Sequence, residues 1–256
     1  VGFAVRVASL GGPSFWWDDS YSTMVASSSL RDIVATLARE DFHPPLHYFL
    51  LHYWLRLVGT SEFSLRYLSV IAGVLAIAAA WIAARQLFGP VAAPLAAVLF
   101  ALSPYLWYYS QEARMFALVP VLGTLALFFC ARAARESRPI DWLGYSLVVL
   151  LGVYDFYYFA FVPLAGGLWI LLGSRRATVW RAWCLSTAAV GLLYLPWLPI
   201  LLSRGAVWSG VVPSLGGPAK TVYWSWPALL LGLPSLSLYG PLLPVSYTHL
   251  RAHETG

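Results

Sequence analysis

Long apolar runs separated by short polar stretches fill most of this chain. The runs span positions 64 to 88, 91 to 107, 116 to 134, 142 to 154, 156 to 172, 179 to 202 and 225 to 243. A helix crossing a bilayer needs about 20 mainly apolar residues, or about 17 where the membrane is thin. Most of the runs meet that length, and a short one such as 142 to 154 needs a tilted or locally thinned setting. The pattern predicts an all-α polytopic transmembrane helical bundle, with no soluble domain and no internal repeat.

Before the first long run the pattern changes. LRDIVATLAREDFHPPLHYFLLHYWLRL, positions 30 to 57, predicts a short amphipathic helix, a Pro-Pro break and a second helix set with aromatics and leucines. Such helices commonly lie in the plane of the membrane interface. This one could edge a lipid-accessible cavity or serve as a plain interfacial anchor.

Charge then orients the bundle. Arg85, the group Arg132, Arg135 and Arg138, and the group Arg175, Arg176 and Arg181 fall in one set of connections, which the positive-inside rule assigns to the cytoplasm. The other set faces outward. It comprises the segment up to about Glu62, the Ser103 to Arg114 turn, the turn at Asp155 and the loop from Ser203 to Trp224. The first of these holds Asp18, Asp19, Asp32, Glu40, Asp41 and Glu62, more than half of the 11 acidic residues.

Composition agrees with a membrane protein. Of 256 residues, 60% are hydrophobic and 11% charged, with a mean hydropathy of +0.70; soluble domains carry about 25% charged residues. The net charge of +5 sits mostly in short loops, where it reports topology and not nucleic-acid binding. Cys130 and Cys184 lie within apolar runs and read as small buried hydrophobes. The chain opens on Val1 with no initiator methionine, so truncation at the front is expected. The ending VSYTHLRAHETG, 245 to 256, reads as an adapter-like tail outside the fold, leaving 1 to 244 as one transmembrane domain.

Two polar clusters could carry chemistry. In SFWWDDSYS, 14 to 22, paired carboxylates follow two tryptophans suited to headgroup depth. In SPYLWYYSQEARMFA, 103 to 117, Glu112 and Arg114 are embedded in aromatic sequence. Ionisable groups at that depth usually face a cavity or each other, so Glu112 and Arg114 could be a structural pair or a site for a phosphate, which suits the forked guanidinium. His43, His47 and His52 invite a metal reading, but Pro44 and Pro45 break the one-face spacing and no ligand set is completed; hydrogen bonding at the interface is expected, with no metal or cofactor. Carboxylates and cationic donors on one membrane face suit an enzyme acting on a lipid phosphate. A transporter or flippase for a lipid-linked or anionic substrate is the alternative.

The motifs extend further. WWDDSYS (16 to 22), HPPLHY (43 to 48), GTSEFSLR (59 to 66), SPYLWYYSQEARMFA (103 to 117) and YLPWLPILL (194 to 202) occur in this order. Together they resemble the family-39-type glycosyltransferases of GT-C fold, which include the dolichyl-phosphate-mannose protein mannosyltransferases and the aminoarabinose transferase of lipid A. The resemblance implies a multi-pass protein of the bacterial inner membrane with an extracytoplasmic site. It further implies a polyprenyl-phosphate-sugar donor, a lipid or protein acceptor hydroxyl, and transfer with inversion. By the same resemblance Asp18 would be the general base and Asp19 its helper, His43 would shape the cavity floor, and Glu112 and Arg114 would line the donor phosphate site. Asp19 stands where Glu is usual, His47 where Tyr is common, and Asp155 and Phe156 where relatives carry Thr and His; Asp155 would be a replacement polar group.

Overall fold

The computed structural model describes residues 2–8, 10–11, 17–41, 43–173 and 176–203. The run 225 to 243, the loop from 204 and the tail after 244 lie outside them. The chain divides into two units, Val1–Leu102 with Leu106–Leu202, and Ser103–Tyr105 with Ser203–Gly256; the account below concerns the first. The described residues are helical, with no strand among them: α1 Gly2–Val7, α2 Trp17–Ser27, α3 Leu30–Arg39, α4 Leu46–Val58, α5 Glu62–Phe88, α6 Ala92–Leu102, α7 Pro104–Tyr109, α8 Leu118–Glu136, α9 Pro139–Asp155, α10 Phe161–Gly173 and α11 Ala177–Tyr194.

Local chemistry sets these boundaries. Ser29 caps α3 by accepting the Asp32 N–H at 3.2 Å, and Ser61 caps α5 by accepting the Ser64 N–H at 3.1 Å. Pro44 and Pro45 separate α3 from α4, as the sequence pattern requires. The apolar runs are interrupted more often than hydropathy alone suggests. The run 91 to 107 breaks at Ser103 ahead of Pro104, and the run 179 to 202 breaks after Tyr194 into a turn at 195 to 197 containing Pro196. Proline removes a helical donor and disfavours helical backbone in the residue before it. The run 156 to 172 begins with a 3₁₀ turn, Tyr157–Ala160, before α10.

Glu62–Phe88 and Met115–Glu136 are long and apolar enough to cross a membrane; at 1.5 Å per residue the 27 residues of the first reach about 40 Å. Leu75, Leu99, Leu147, Leu168 and Leu192 lie exposed on the outer faces of five helices. Apolar surface on that scale is foreign to a soluble monomer and suits contact with lipid. The protein is an all-α membrane protein.

Small residues allow the long helices to approach closely. Ala72, Ala76, Ala79, Ala80, Ala83 and Ala84 form the buried face of α5, and Ala72 and Ala76 pack on Ala117 and Val121. Between helices in lipid, such side chains let backbones come together for van der Waals contact. α5 and α8 run in the same direction, because Leu65 and Ala113 share one core cluster near their starts and Arg135 Nη1 donates to the Gln86 carbonyl at 2.9 Å near their ends. α9 runs back along α8, with Asp141 at its start 3.1 Å from Arg132. One end of the bundle therefore collects α2 to α4, the 110–117 turn and the 154–160 turn. The opposite end collects Arg85, Arg132, Arg135 and Arg138.

Arg6 locks α1 into this frame although the sequence pattern gave it no role. Its side chain is fully buried. Nε donates to Ser110 Oγ at 3.1 Å, and Nη1 and Nη2 donate to the carbonyls of Ala101 and Phe100 at 3.2 and 3.0 Å. The guanidinium thus satisfies carbonyls that the end of α6 leaves open. Gly73 makes room for it: a Cβ there would run into Ser110 Oγ and Arg6 Nε. Gly73→Ala is expected to destabilise the fold by about 1–3 kcal/mol, as overpacking does, read as a lowered melting temperature in detergent; an unchanged melting point would contradict this packing.

Candidate functional site

The two adjacent carboxylates stand in the first turn of α2, where the helix dipole favours negative charge. Their surroundings differ sharply. Asp19 is 4% exposed, and its Oδ2 accepts from Arg66 Nη2 at 2.7 Å and Nε at 3.1 Å. Its Oδ1 accepts the Ala113 backbone N–H at 3.2 Å. Asp18 leaves 62% of its side chain in the open, with Oδ1 3.7 Å from Arg114 Nη2. The neighbouring Trp17 is 83% exposed, as a headgroup-level anchor would be.

Ala113 is held from two sides. Asp19 takes its N–H, and His47 Nε2 donates to its carbonyl at 3.1 Å. Because a carbonyl only accepts, the His47 proton sits on Nε2. This grip on the 110–117 turn fixes the residues flanking Ala113, which are Glu112 and Arg114. The two are not joined to each other by an ion pair among the described residues. Glu112 hydrogen-bonds Tyr108, and burial, reinforced by Asp19 and Asp18, raises its carboxyl above the usual range. Arg114, 11% exposed at the side chain, reaches Asp18 with Nη2 and donates from Nη1 to the Tyr48 hydroxyl at 3.4 Å. Its buried Nε–H has no acceptor among the described residues.

Asp41, absent from the expected site residues, organises the next layer. Oδ2 accepts from the Tyr48 hydroxyl at 2.5 Å and Oδ1 pairs with His43 Nδ1 at 2.7 Å. An unbroken chain therefore runs from His43 through Asp41, Tyr48 and Arg114 to Asp18. Tyr21 closes edge-on against Tyr48, and burial with Asp41 and Glu40 close by pushes its phenol up to about 12. His52 bonds the Ala26 carbonyl at 2.7 Å and ties α4 to α2. No group of three His, Cys, Asp or Glu side chains among the described residues is placed to hold a metal ion.

Asp155 arrives at the same end of the bundle by another route. It closes α9, is fully buried, and neither carboxyl oxygen has a hydrogen-bond partner among the described residues. Its neighbours Tyr154 and Tyr157 pack on the cluster of Val25, Ile33, Leu37, Tyr48 and Trp197. An unpaired carboxylate is costly to bury, so this position calls for a proton or a ligand.

Asp18, Asp19, Glu112, Arg114 and His43 thus converge, and Asp155 joins their end of the bundle without a bond to them. Sequence reading missed Asp41, Arg66 and Tyr48. Arg66 and Tyr48 lie inside the motif segments, and Asp41 was visible as one more acid ahead of the prolines; what linked them is contact across the chain.

This is a helical membrane protein with an exposed carboxylate beside a shielded guanidinium at one end of its bundle. The chain belongs to the family described as dolichyl-phosphate-mannose-protein mannosyltransferase, whose model matches residues 42–200, and is a membrane glycosyltransferase of GT-C type. The match includes His43, Glu112, Arg114 and Asp155 and begins after Asp18 and Asp19. No curated protein and no solved structure matches the chain.

Burial, with Arg114 close by, lowers His47 to about 4 from 6.5. An unfolded chain takes up this proton near 6.5, whereas the folded one resists until about 4. The neutral imidazole therefore contributes its full stability above pH 6.5 and loses it as pH falls towards 4, a swing on the order of 3 kcal/mol. Melting temperature in detergent is expected to fall across that window, and His47→Gln, which keeps a donor for Ala113 but does not titrate, to flatten the decline. An equally steep decline in His47→Gln would refute the assignment.

Proposed function

We propose that the protein transfers a sugar from a polyprenyl-phosphate carrier to an acceptor hydroxyl on a lipid or protein, at the extracytoplasmic face of a bacterial inner membrane that it crosses several times. The observation that carries this reading is Arg114: a buried guanidinium beside an exposed carboxylate, with its Nε–H unclaimed among the described residues. A guanidinium suits the phosphate of such a donor through forked, charge-assisted hydrogen bonds. The donor class follows the family's description, in which mannose is carried on dolichyl phosphate.

Asp18 is the general base. The acceptor oxygen attacks the anomeric carbon as its proton passes to Asp18, and the bond from that carbon to the phosphate oxygen breaks. Its electron pair leaves with the polyprenyl phosphate, whose charge Arg114 stabilises. Attack opposite the departing phosphate inverts the anomeric centre. Asp19 assists by holding Asp18 and Arg114 in register through Arg66 and Ala113. Glu112, whose carboxyl burial raises above the usual range, lines the sugar and phosphate site beside Arg114. His43, fixed by Asp41, lines the cavity floor, and Asp155 meets the substrate with its unpartnered carboxyl.

Asp18→Asn is expected to cut transfer by about 10²- to 10⁴-fold, the range for a lost general base, without shifting the melting point, since its side chain is mostly exposed. Arg114→Ala should instead raise the apparent KM for the lipid-linked donor. Radiolabelled sugar transfer in membranes, titrated with donor, measures both; wild-type rates in Asp18→Asn, or unchanged donor dependence in Arg114→Ala, would overturn the respective role.

A further inference from the structure

At the end of the bundle opposite the site, a cleft of about 410 Å³ lies among Trp81, Ile82, Arg85, Gln86, Pro90 and Phe128. Its volume falls in the range of small-molecule sites, roughly 300–1,000 Å³. One part of its wall is indole, phenyl and aliphatic, and Trp81 and Ile82 are also open to the bundle's surroundings, at 42% and 46% exposure. The other part is polar, carrying Arg85 and Gln86.

The charges around the cleft do not cancel. Arg132 is taken by Asp141 at 3.1 Å and Glu136 at 3.9 Å, and Arg138 by Glu136 at 3.1 Å. Two arginines and two carboxylates are thereby neutralised. Arg85 has no ion pair or side-chain hydrogen bond among the described residues, and Arg135 donates Nη1 to an uncharged acceptor, the Gln86 carbonyl. Two positive charges therefore stand at the cleft, one in its wall and one tied to its rim.

We infer that this cleft binds an anionic phospholipid, with the headgroup phosphate on Arg85 and an acyl chain along Trp81, Ile82 and Phe128. The apolar wall favours a lipid over free phosphate. The charge balance favours an anionic headgroup over a zwitterionic one, because an ammonium would find Glu136 and Asp141 already engaged. Basic pockets at helix ends hold anionic headgroups in this way, and tryptophan is at home at headgroup depth.

The test is native mass spectrometry of the full chain in detergent, with phosphatidylglycerol, phosphatidylcholine or inorganic phosphate added stepwise. Wild type is expected to retain phosphatidylglycerol in preference to phosphatidylcholine. Arg85→Gln should weaken phosphatidylglycerol retention about fivefold, in line with one arginine at an anionic surface, and Arg138→Gln should leave it unchanged. Arg135→Gln, expected to act in the same direction, gives an independent reading if Arg85→Gln fails to fold. Equal retention of both lipids, undiminished phosphatidylglycerol binding in both Arg85→Gln and Arg135→Gln, or displacement of the lipid by inorganic phosphate would overturn the inference.

Discussion

The buried ion pair between Asp19 and Arg66 joins more of this structure than any other polar contact described above. Arg66 comes from the first turns of α5, Asp19 from the start of α2, and through Oδ1 the same carboxylate holds the turn that presents Glu112 and Arg114. Arg66 also reaches the Leu10 carbonyl at 3.1 Å, which fastens the segment before α2. A charge placed this deep is tolerated only with its partner present and its remaining donors and acceptors used. That requirement divides the two neighbouring aspartates: Asp19 is enclosed by its partners, and Asp18 is left mostly exposed beside Arg114.

The rest of the bundle supports that division. Alanines let α5 lie close against its neighbours, and Gly73 leaves space for Arg6 and Ser110 to fasten α1 and the end of α6. Ala113, gripped by Asp19 and His47, then carries Arg114 to Asp18. The two ends of the bundle use arginine differently. At the site end a guanidinium is shielded and held by a hydroxyl and a carboxylate. At the other end Arg85 stands open in a cleft with an apolar wall, a setting for a headgroup and not for chemistry.

Much of this was legible in the sequence because it is local. The Pro-Pro break and the length of the run over α5 depend on residues a few positions apart, and they fell where the pattern placed them. Prolines within apolar runs were harder to read, since hydropathy counts Pro104 and Pro196 without registering the donor each removes. The candidate residues were legible as motif segments, which the structure gathers at one end of the bundle, but the contacts among them were not. Asp19 finds Arg66 across 47 positions and Ala113 across 94. The sequence also presents Glu112 and Arg114 as natural partners, whereas in the bend at 112–114 each found a different companion, Tyr108 for the acid and Asp18 with Tyr48 for the guanidinium. Asp41 gave no signal beyond its charge, because its importance comes from His43 and Tyr48 meeting on its two oxygens.

The claim that Asp19 serves Arg66 can be measured in a double-mutant cycle on melting temperature in detergent, comparing wild type, Asp19→Asn, Arg66→Ala and the double variant. Removing Arg66 alone leaves a buried carboxylate without its counter-charge, a loss of about 3–5 kcal/mol. The account predicts that adding Asp19→Asn to Arg66→Ala restores part of that loss, because the amide needs no cation. A double variant whose loss equals the sum of the two single losses would contradict it.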